Sequence, residues 1–383
     1  LAQYIWVREI FKADAIIHLG KHGSLEWLPG KSIGLSNSCF PSIVLGNIPH
    51  IYPFIVNDPG EGTQAKRRSN AIIVDHLIPP LDKSGLHSGL AELEDLYEEY
   101  YESLTLESDR SRILQKSIID KIKDLELLPD FSYSPKSLSD DNTKLNIINL
   151  AEQYLCEIKS TQIRTGLHIL GQLPTKKELI RLIYCISVSP SKIGSGLTQV
   201  IAREIGLEFD PIKDQNTNKL SKEDYEVVKQ ILGNKSSTQS KLLDWIDDQA
   251  KILIAKLLAE YYKEEEAHLL KGLHPILFQI YTRANEIPIL VFIKDTLIPN
   301  LIVSEKNELK SIIEALNGLK VRAGPSGAIT RGKHDVLPTG RNFYSLDARG
   351  LPTEAAWSLG QASARNILEL HKMDNGEDLR SLA

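Results

Sequence analysis

Two short and mostly apolar runs, residues 15–19 and 51–56, stand out in the first eighty positions of the chain. Apolar runs of this length, bounded by glycine and proline, are typical of buried strands. Pro53 lies inside the second run and has no backbone N–H to donate. That run is therefore predicted to be an edge strand or an extended segment. A helix end at residues 2–12 is predicted to lead into the first strand.

A helix start follows the second run. Asp58 can cap the first turn, Pro59 suits the first helical position, and Glu61 can complete a capping box. The helix is predicted to continue to about Leu77, with Ile73 among its inward residues, because two prolines follow shortly after Leu77 and stop it.

Helical periodicity dominates the middle of the chain. Apolar residues recur at three- and four-residue spacing through 86–128, which predicts two helices, and a polar stretch at 130–144 predicts a linker. Five further helices are predicted, at residues 145–157, 176–187, 196–205, 221–232 and 240–271.

The last hundred residues have a different character. Residues 289–293 predict a strand, residues 305–316 predict a helix, and Pro352 is predicted to open a helix that contains Trp357. Between these elements, residues 323–347 form a second long, glycine-rich polar loop.

These patterns together predict an α/β fold with a large, mostly helical middle region, in a multidomain fragment. We expect an α/β segment at 1–85, a mostly helical region at 86–285, and an α/β segment at 286–383 that carries the second glycine-rich loop.

Composition narrows the function classes. The formal net charge of -5 provides no basic field for a nucleic-acid partner. No apolar run approaches the ~20 residues that span a bilayer. The three cysteines are far apart, which favours reduced thiols in a cytoplasmic protein over disulfides or a zinc site. Because Met373 is its one methionine, we expect the chain to be an internal piece of a longer protein.

Residues 13–32 crowd polar side chains onto a glycine-rich turn after the first predicted strand, as at a site on a strand's carboxyl end. His18, His22 and Glu26 recur at four-residue spacing, and on a helix they would share one face, as metal ligands do. Gly20 and Gly23 disfavour a regular helix here. Imidazole and carboxylate suit a first-row divalent ion and can also take protons. The structural alternative is that His18 is a core histidine and that Glu26 caps a helix.

A nucleotide-binding loop is not predicted. Gly30, Lys31 and Ser32 resemble the end of a P-loop, but Leu25 occupies the position of that motif's first glycine. Pro29 also removes a backbone donor where the loop should offer N–H groups to phosphate.

Cationic groups recur around both polar loops. The basic run at 66–68 lies on a predicted helix, where it is either a solvated face or a set of contacts to substrate carboxylates. Arg331 and Arg341 lie on the second loop, and loops commonly carry ligand contacts. Asp347, at the end of that loop, is a second candidate carboxylate.

Residues 18–31 closely resemble the signature of the large subunits of ATP-dependent tetrapyrrole metal chelatases. Residues 50–68 and 323–347 resemble the cobaltochelatase (CobN-type) branch of that family more than the magnesium chelatase branch. These large subunits are several times longer than a single domain. The resemblance therefore implies that this chain is a fragment, inactive by itself.

The resemblance implies a function in which Co²⁺ is the metal substrate and hydrogenobyrinic acid a,c-diamide is the tetrapyrrole, in cobalamin biosynthesis. ATP would be hydrolysed by separate AAA+ ATPase subunits, alongside an integrin-like partner subunit, and would not be bound here. The alternatives are a magnesium chelatase large subunit, which inserts Mg²⁺ into protoporphyrin IX, and a non-catalytic tetrapyrrole-binding module. A metal-dependent hydrolase is disfavoured because glycines break the helical frame of its ligands.

The same resemblance suggests residue roles, since metal insertion requires a proton acceptor and a ligand set that hands over the ion. We expect Glu26 to act as a base or as a metal-delivering carboxylate, and Asp347 to be a second acidic group. His18 and His22, with Glu26, are the expected metal ligands, and either histidine can also carry protons. The groups expected to bind the peripheral carboxylates of the substrate are Lys66, Arg67, Arg331 and Arg341.

Overall fold

The structure is a computed structural model of the 383-residue chain. It describes residues 2–83, 88–104, 110–134, 137–138, 140–160, 162–164, 166–214, 220–232, 239–264, 274–344 and 354–379. The chain divides into two compact units, Leu1–Phe343 and Tyr344–Ala383. The predicted α/β class with a large helical middle is confirmed. In the described ranges, no helix is long and apolar enough to cross a membrane.

A small parallel sheet carries the first part of the chain. Its strands are β1 (Ile16–Ile17), β2 (His50–Ile55) and β3 (Ile72–His76), in the order β1-β2-β3. Helices α1 (Ala2–Trp6), α2 (Phe40–Leu45) and α3 (Pro59–Ser69) accompany these strands. Every residue of β2 is buried, as expected for the middle strand of a covered sheet.

Pro53 lies in the central strand, so the prediction of an edge strand was wrong. The carbonyls of Pro49 and Ile51 accept hydrogen bonds from Ile16 and His18 at 2.9 Å each, so these positions face β1. By alternation Pro53 faces the same side, beyond the end of β1. Its missing N–H therefore interrupts no ladder.

The helix predicted to reach Leu77 ends earlier, at Ser69. Asn70 adopts a left-handed conformation with φ 48°, which stops the helix, and Ile73 then lies in β3. Pro59 occupies the first helical turn as predicted, but Asp58 makes no side-chain cap bond. The predicted capping box was therefore wrong.

The helical middle contains two apolar cores. One core lies among α4 (Ser88–Leu104), α5 (Arg110–Asp124) and α6 (Asp141–Ser160). The other core joins β2 and β3 to the following helices. Those helices are α7 (Lys176–Ser187), α8 (Leu197–Glu204), α9 (Lys222–Leu232), α10 (Gln239–Tyr262) and α11 (Pro275–Thr282). The short antiparallel strands β4 (Leu81–Lys83) and β5 (Gln162–Arg164) pair with each other.

The strand predicted at 289–293 was wrong, because the segment is α12 (Pro288–Phe292). This helix continues through a π-helical turn, Ile293–Leu297, into α13 (Ile298–Leu316). A short buried apolar run fits either a strand or a helix, and Pro288 suits a helix's first turn. The predicted helix containing Trp357 is α14 (Glu354–Asn375), whereas Pro352 lies outside the described residues.

The second glycine-rich loop packs against the open edge of β3. It includes the strands β6 (Ala323–Pro325) and β7 (Asn342–Tyr344), which pair with each other. Asp75 of β3 donates its backbone N–H to the carbonyl of Arg341 at 2.8 Å and accepts a bond from the N–H of Gly340 at 2.8 Å. The Asp75 side chain also accepts a hydrogen bond from the Arg341 N–H at 2.7 Å.

We predict that this Asp75 contact makes folding pH-dependent. Burial, with a smaller contribution from the charge of Glu308, raises the pKa of the Asp75 carboxyl to about 8, although the hydrogen bonds from Arg341 and Gly340 lower it. The ordinary value is about 3.9, so between these values the folded chain binds the proton more tightly than the unfolded chain. The free energy of unfolding should fall as pH rises through this window.

Asp75→Asn, which cannot ionise, should lack this loss. Relative to the variant, the wild type should lose more than about 1.4 kcal/mol, the equivalent of one pKa unit, between pH about 4 and about 8. Urea unfolding across that range measures the difference. If the difference in unfolding free energy between the wild type and the variant stays constant with pH, Asp75 is ionised throughout this range.

Candidate functional site

Glu26 lies in a 3₁₀ turn, Leu25–Trp27, in the loop after β1. The residue is completely buried, and neither carboxylate oxygen has a hydrogen-bond partner among the described residues. Burial raises the pKa of the Glu26 carboxyl and the negative charge of Glu61 adds to this effect, although the backbone N–H groups of Glu26 and Gly23 oppose it. A buried carboxyl without partners is costly, which is typical of a group retained for chemistry.

Gly23 leaves the space that the Glu26 carboxylate needs. A β-carbon on Gly23 would lie 2.6 and 2.7 Å from the two carboxylate oxygens of Glu26, and 2.8 Å from the hydroxyl of Tyr52. Because Gly23 has no side chain, the Glu26 carboxylate and the Tyr52 hydroxyl can both approach the position that a β-carbon would occupy. Burial raises the pKa of the Tyr52 hydroxyl, and the charge of Glu26 raises it further.

His18 follows β1 and meets two aromatic residues of β2. Its Nε2 is 2.7 Å from the hydroxyl of Tyr4. Its ring lies 4.4 Å from that of His50 and 5.3 Å from that of Tyr52, in edge-on arrangements. Nδ1 of His18 is buried and has no partner in the described part of the chain. Burial lowers the pKa of His18, which favours the neutral imidazole.

His50 has a similar free atom. Its Nδ1 is 3.1 Å from the hydroxyl of Ser69, while Nε2 is buried with no partner in the described ranges. Burial lowers the pKa of His50 to about 4, and the nearby charge of His18 contributes. A neutral imidazole has a lone pair on one ring nitrogen, through which it can accept a proton or a metal ion.

Among the described residues, His22 bonds to Glu61 and not to the residues around His18. Its side chain is 72% exposed, and Nδ1 lies 2.9 Å from a carboxylate oxygen of Glu61 at the start of α3. The neighbouring Lys21 forms an ion pair with Asp58 at 2.9 Å. No three histidine, cysteine, aspartate or glutamate side chains in the described residues are grouped so that they could hold a metal ion. Joint ligation by His18, His22 and Glu26 stays a prediction.

Arg68 fixes the turn that carries Glu26. This arginine is 8% exposed, and its guanidinium donates to the carbonyls of Glu26 at 2.7 Å, Leu28 at 2.6 Å and Lys31 at 3.1 Å. A planar group with five N–H donors can bind several carbonyls at fixed angles, which a lysine cannot do.

The other two residues of the basic run behave differently. Lys66 donates to the side-chain oxygen of Asn342 and to the carbonyl of Phe343, each at 2.8 Å. Burial lowers the pKa of Lys66. Arg67 is exposed. The run is thus neither a uniform solvated face nor a uniform binding surface.

The predicted residues of the second loop also separate. Arg341 donates to the carbonyls of Asp335 at 3.1 Å and Leu337 at 2.9 Å, so part of its guanidinium holds the loop together. Arg331 is exposed. Asp347 lies outside the described residues.

Helix α3 contacts both glycine-rich loops. Glu61 and Arg68 contact the first loop. On the same helix Gly62 packs against Phe343, since a β-carbon there would lie 2.3 Å from the ring. The second loop also reaches the end of β2, where the N–H of Gly327 donates to the carbonyl of Val56 at 3.0 Å.

Three contributors to this site were not predicted from the sequence: Tyr4, His50 and Tyr52. Arg68 was considered only as part of the basic run and not as an anchor of the first loop. The period of two along β2 is a usable signal, because alternate residues of a strand face one side. By that rule His50 and Tyr52 share a face, and both rings meet His18.

Comparisons with known proteins identify relatives of this chain. A family model described as CobN/Magnesium Chelatase matches residues 1–383. The aerobic cobaltochelatase subunit CobN of Sinorhizobium sp is 39% identical to this chain over an alignment of 390 positions, which covers 98% of this chain and 29% of that protein. The chloroplastic magnesium-chelatase subunit ChlH of Oryza sativa subsp. indica is 31% identical over an alignment of 389 positions, which covers 98% of this chain and 27% of that protein.

A solved structure is also similar. The catalytic subunit of cobaltochelatase from Mycobacterium tuberculosis matches with a TM-score of 0.72 and 34% identity, over 99% of this chain and 30% of that chain. The chain thus spans about 29% of the length of the Sinorhizobium relative. Because the family match runs over the whole sequence, this chain belongs to the CobN/magnesium chelatase family.

Proposed function

We propose that this chain is the part of a cobaltochelatase large subunit that takes up protons and handles Co²⁺ during metal insertion into a tetrapyrrole. The observation that carries the proposal is the Glu26 carboxyl, which is buried without a hydrogen-bond partner in the described residues. It lies beside Tyr52, whose ring meets that of His18.

Metal insertion exchanges two N–H bonds of the macrocycle for bonds to the metal, so two protons leave as the ion enters. An acceptor near neutral pKa suits this step, because it is deprotonated before the transfer and basic enough to hold the proton afterwards. Burial raises the pKa of Glu26 in that direction. Neutral His18 is the proposed second acceptor, through its free Nδ1.

The ion must lose water ligands before it enters the ring. Imidazole and carboxylate are suitable temporary ligands for Co²⁺. We propose that His18, His22 and Glu26 supply them in a conformation that draws His22 away from Glu61. Asp347 remains the proposed second acidic group.

Substrate carboxylates need cationic partners. Arg67 and Arg331 are exposed and are the proposed first contacts. Within the described part of the chain, Lys66 and Arg341 use only some of their N–H donors. We propose that the remaining N–H donors of Lys66 and Arg341 face the substrate carboxylates. The donors that already bond within the protein hold the second loop.

The proposed assembly includes partners that hydrolyse ATP. The sequence lacks a P-loop at Gly30, so we propose that ATP is bound and hydrolysed by separate AAA+ subunits working with an integrin-like subunit in the cytoplasm. The proposed tetrapyrrole is hydrogenobyrinic acid a,c-diamide. Similarity over almost the whole chain favours the cobalt branch, since CobN relatives are 37–39% identical and the rice magnesium-chelatase subunit is 31% identical.

We predict that Glu26→Gln nearly abolishes metal insertion. Glutamine keeps the size of the side chain but cannot accept the proton, so ATP-dependent insertion by the full-length complex should fall by about 10²-fold or more. The free energy of unfolding should not decrease, because the lost charge has no partner.

The matched control is Glu286→Gln, which removes a carboxylate whose side chain is 70% exposed. It should leave insertion unchanged. Wild-type turnover by Glu26→Gln would remove this residue from the mechanism.

We predict that Gly23→Ala slows insertion while the chain stays folded. Its methyl group would displace the Glu26 carboxylate and the Tyr52 hydroxyl. A shift of about 1 Å at a reacting group costs roughly 10²-fold in rate. Gly60→Ala is the control, because the nearest atom to its new β-carbon is a carboxylate oxygen of Asp58 at 3.9 Å. Equal rates for the two variants would contradict the close approach at Gly23.

A metal and substrate assay distinguishes the two branches. We predict that the complete complex inserts Co²⁺ into a corrin-type tetrapyrrole when ATP is supplied and leaves Mg²⁺ and protoporphyrin IX unreacted. Absorption spectra of the products measure both reactions. Insertion of Mg²⁺ instead would assign the chain to magnesium chelatase, and pigment binding without any insertion would indicate a binding module.

A further inference from the structure

Glu308 of α13 is a completely buried carboxylate outside the His18 and Glu26 site. One of its oxygens accepts hydrogen bonds from the backbone N–H of Leu77 at 2.8 Å and from the hydroxyl of Thr339 at 2.6 Å. The other lies 2.6 Å from Nε2 of His168. Unlike Glu26, this carboxylate has partners on both oxygens.

The partners of Glu308 come from three distant parts of the chain. Leu77 follows β3, and Thr339 belongs to the second glycine-rich loop. His168 lies between β5 and α7, its side chain is 2% exposed, and its ring stacks on that of His76 at 5.2 Å. The His76 Nδ1–H in turn donates to the carbonyl of Leu77 at 2.8 Å.

One face of α13 holds the loop at successive turns. Ser304, Glu308 and Ser311 are spaced by four and three residues and therefore lie on the same side of the helix. Ser304 accepts from the N–H of Thr339 at 2.9 Å, and Ser311 donates to the carbonyl of Gly340 at 2.6 Å. All three side chains are buried.

This anchoring continues toward the exposed part of the loop. Thr339 and Gly340 directly precede Arg341, whose guanidinium holds the carbonyls of Asp335 and Leu337. The N–H of Arg331 donates to the carbonyl of Ala328 at 3.1 Å, which closes the turn that presents the exposed Arg331 side chain.

Apolar side chains at these positions would hold the loop at a lower cost in desolvation free energy. Burying a carboxylate requires complete pairing, and removing one partner leaves part of the charge uncompensated. In exchange, directional hydrogen bonds fix one placement of the loop, whereas apolar contacts tolerate small shifts.

We propose that Glu308 is a positioning residue that, through Thr339, sets the placement of the second glycine-rich loop and of the Arg331 guanidinium that receives a substrate carboxylate. The role of Arg331 rests on the proposed function, whereas the placement of the loop does not. The expected consequence concerns the affinity for the tetrapyrrole rather than the chemical step.

The test uses Thr339→Val and Thr339→Ser in the full-length protein with its partner subunits. Valine has the shape of threonine without the hydroxyl, and serine keeps the hydroxyl. Both variants leave Glu308 bonded to Leu77 and His168, which avoids the unpaired charge that a change of His168 would leave. Thr282→Val, at an exposed site on α11, is the control.

Two measurements are made. Trypsin cleavage after Arg331 and Lys333, mapped by mass spectrometry, reports the order of the loop without reference to any activity. Binding of the metal-free tetrapyrrole, together with KM and kcat for insertion, reports the consequence for substrate.

Thr339→Val should be cleaved at these two sites about tenfold faster than wild type, and the tetrapyrrole Kd and KM should rise about tenfold with kcat within about twofold. Thr339→Ser and Thr282→Val should behave as wild type. Unchanged cleavage in Thr339→Val would overturn the positioning role, as would a fall in kcat at constant KM. If the wild-type protein binds no tetrapyrrole, the proposed function fails, and the cleavage rates alone still decide whether Glu308 and Thr339 place the loop.

Discussion

The buried guanidinium of Arg68 is the interaction on which the first loop depends. It satisfies three carbonyl groups of a segment whose regular structure is a single 3₁₀ turn, Leu25–Trp27. The N-terminal end of α3 contacts the same loop, because Glu61 holds His22. Another part of this helix contacts the second loop through Gly62 and Lys66. One short helix thus fixes two loops that are three hundred residues apart in sequence.

Two buried carboxylates illustrate opposite uses of the same group. Glu308 has partners on both oxygens, so its charge is compensated and its geometry is fixed. Glu26 has no partner on either oxygen among the described residues, so burial shifts it toward the protonated form. The first arrangement stabilises one placement of a loop. The second stores proton affinity where a substrate could use it.

The same contrast applies to the histidines. His22 is exposed and paired with Glu61, whereas His18 and His50 are kept neutral by burial, each with one free ring nitrogen. Because His18 and His50 are both neutral, they add no positive charge to this part of the fold. Under the proposed function, this low positive charge would favour the approach of a divalent ion.

The sequence by itself determined the α/β class, the helical middle and the polar motif after the first strand, because these follow from local periodicity and composition. It also determined the family, through long motifs in both loops. It did not determine that Ile73 lies in a strand or that residues 289–293 are helical, because short apolar runs fit both structures and neighbouring elements decide between them. Only the tertiary structure showed that the three neighbouring cations at 66–68 differ. Lys66 bonds to the second loop, Arg67 is exposed, and Arg68 is buried and bonds to the first loop. The identity of a side chain sets what it can bond, but its partners come from segments whose proximity depends on the whole fold.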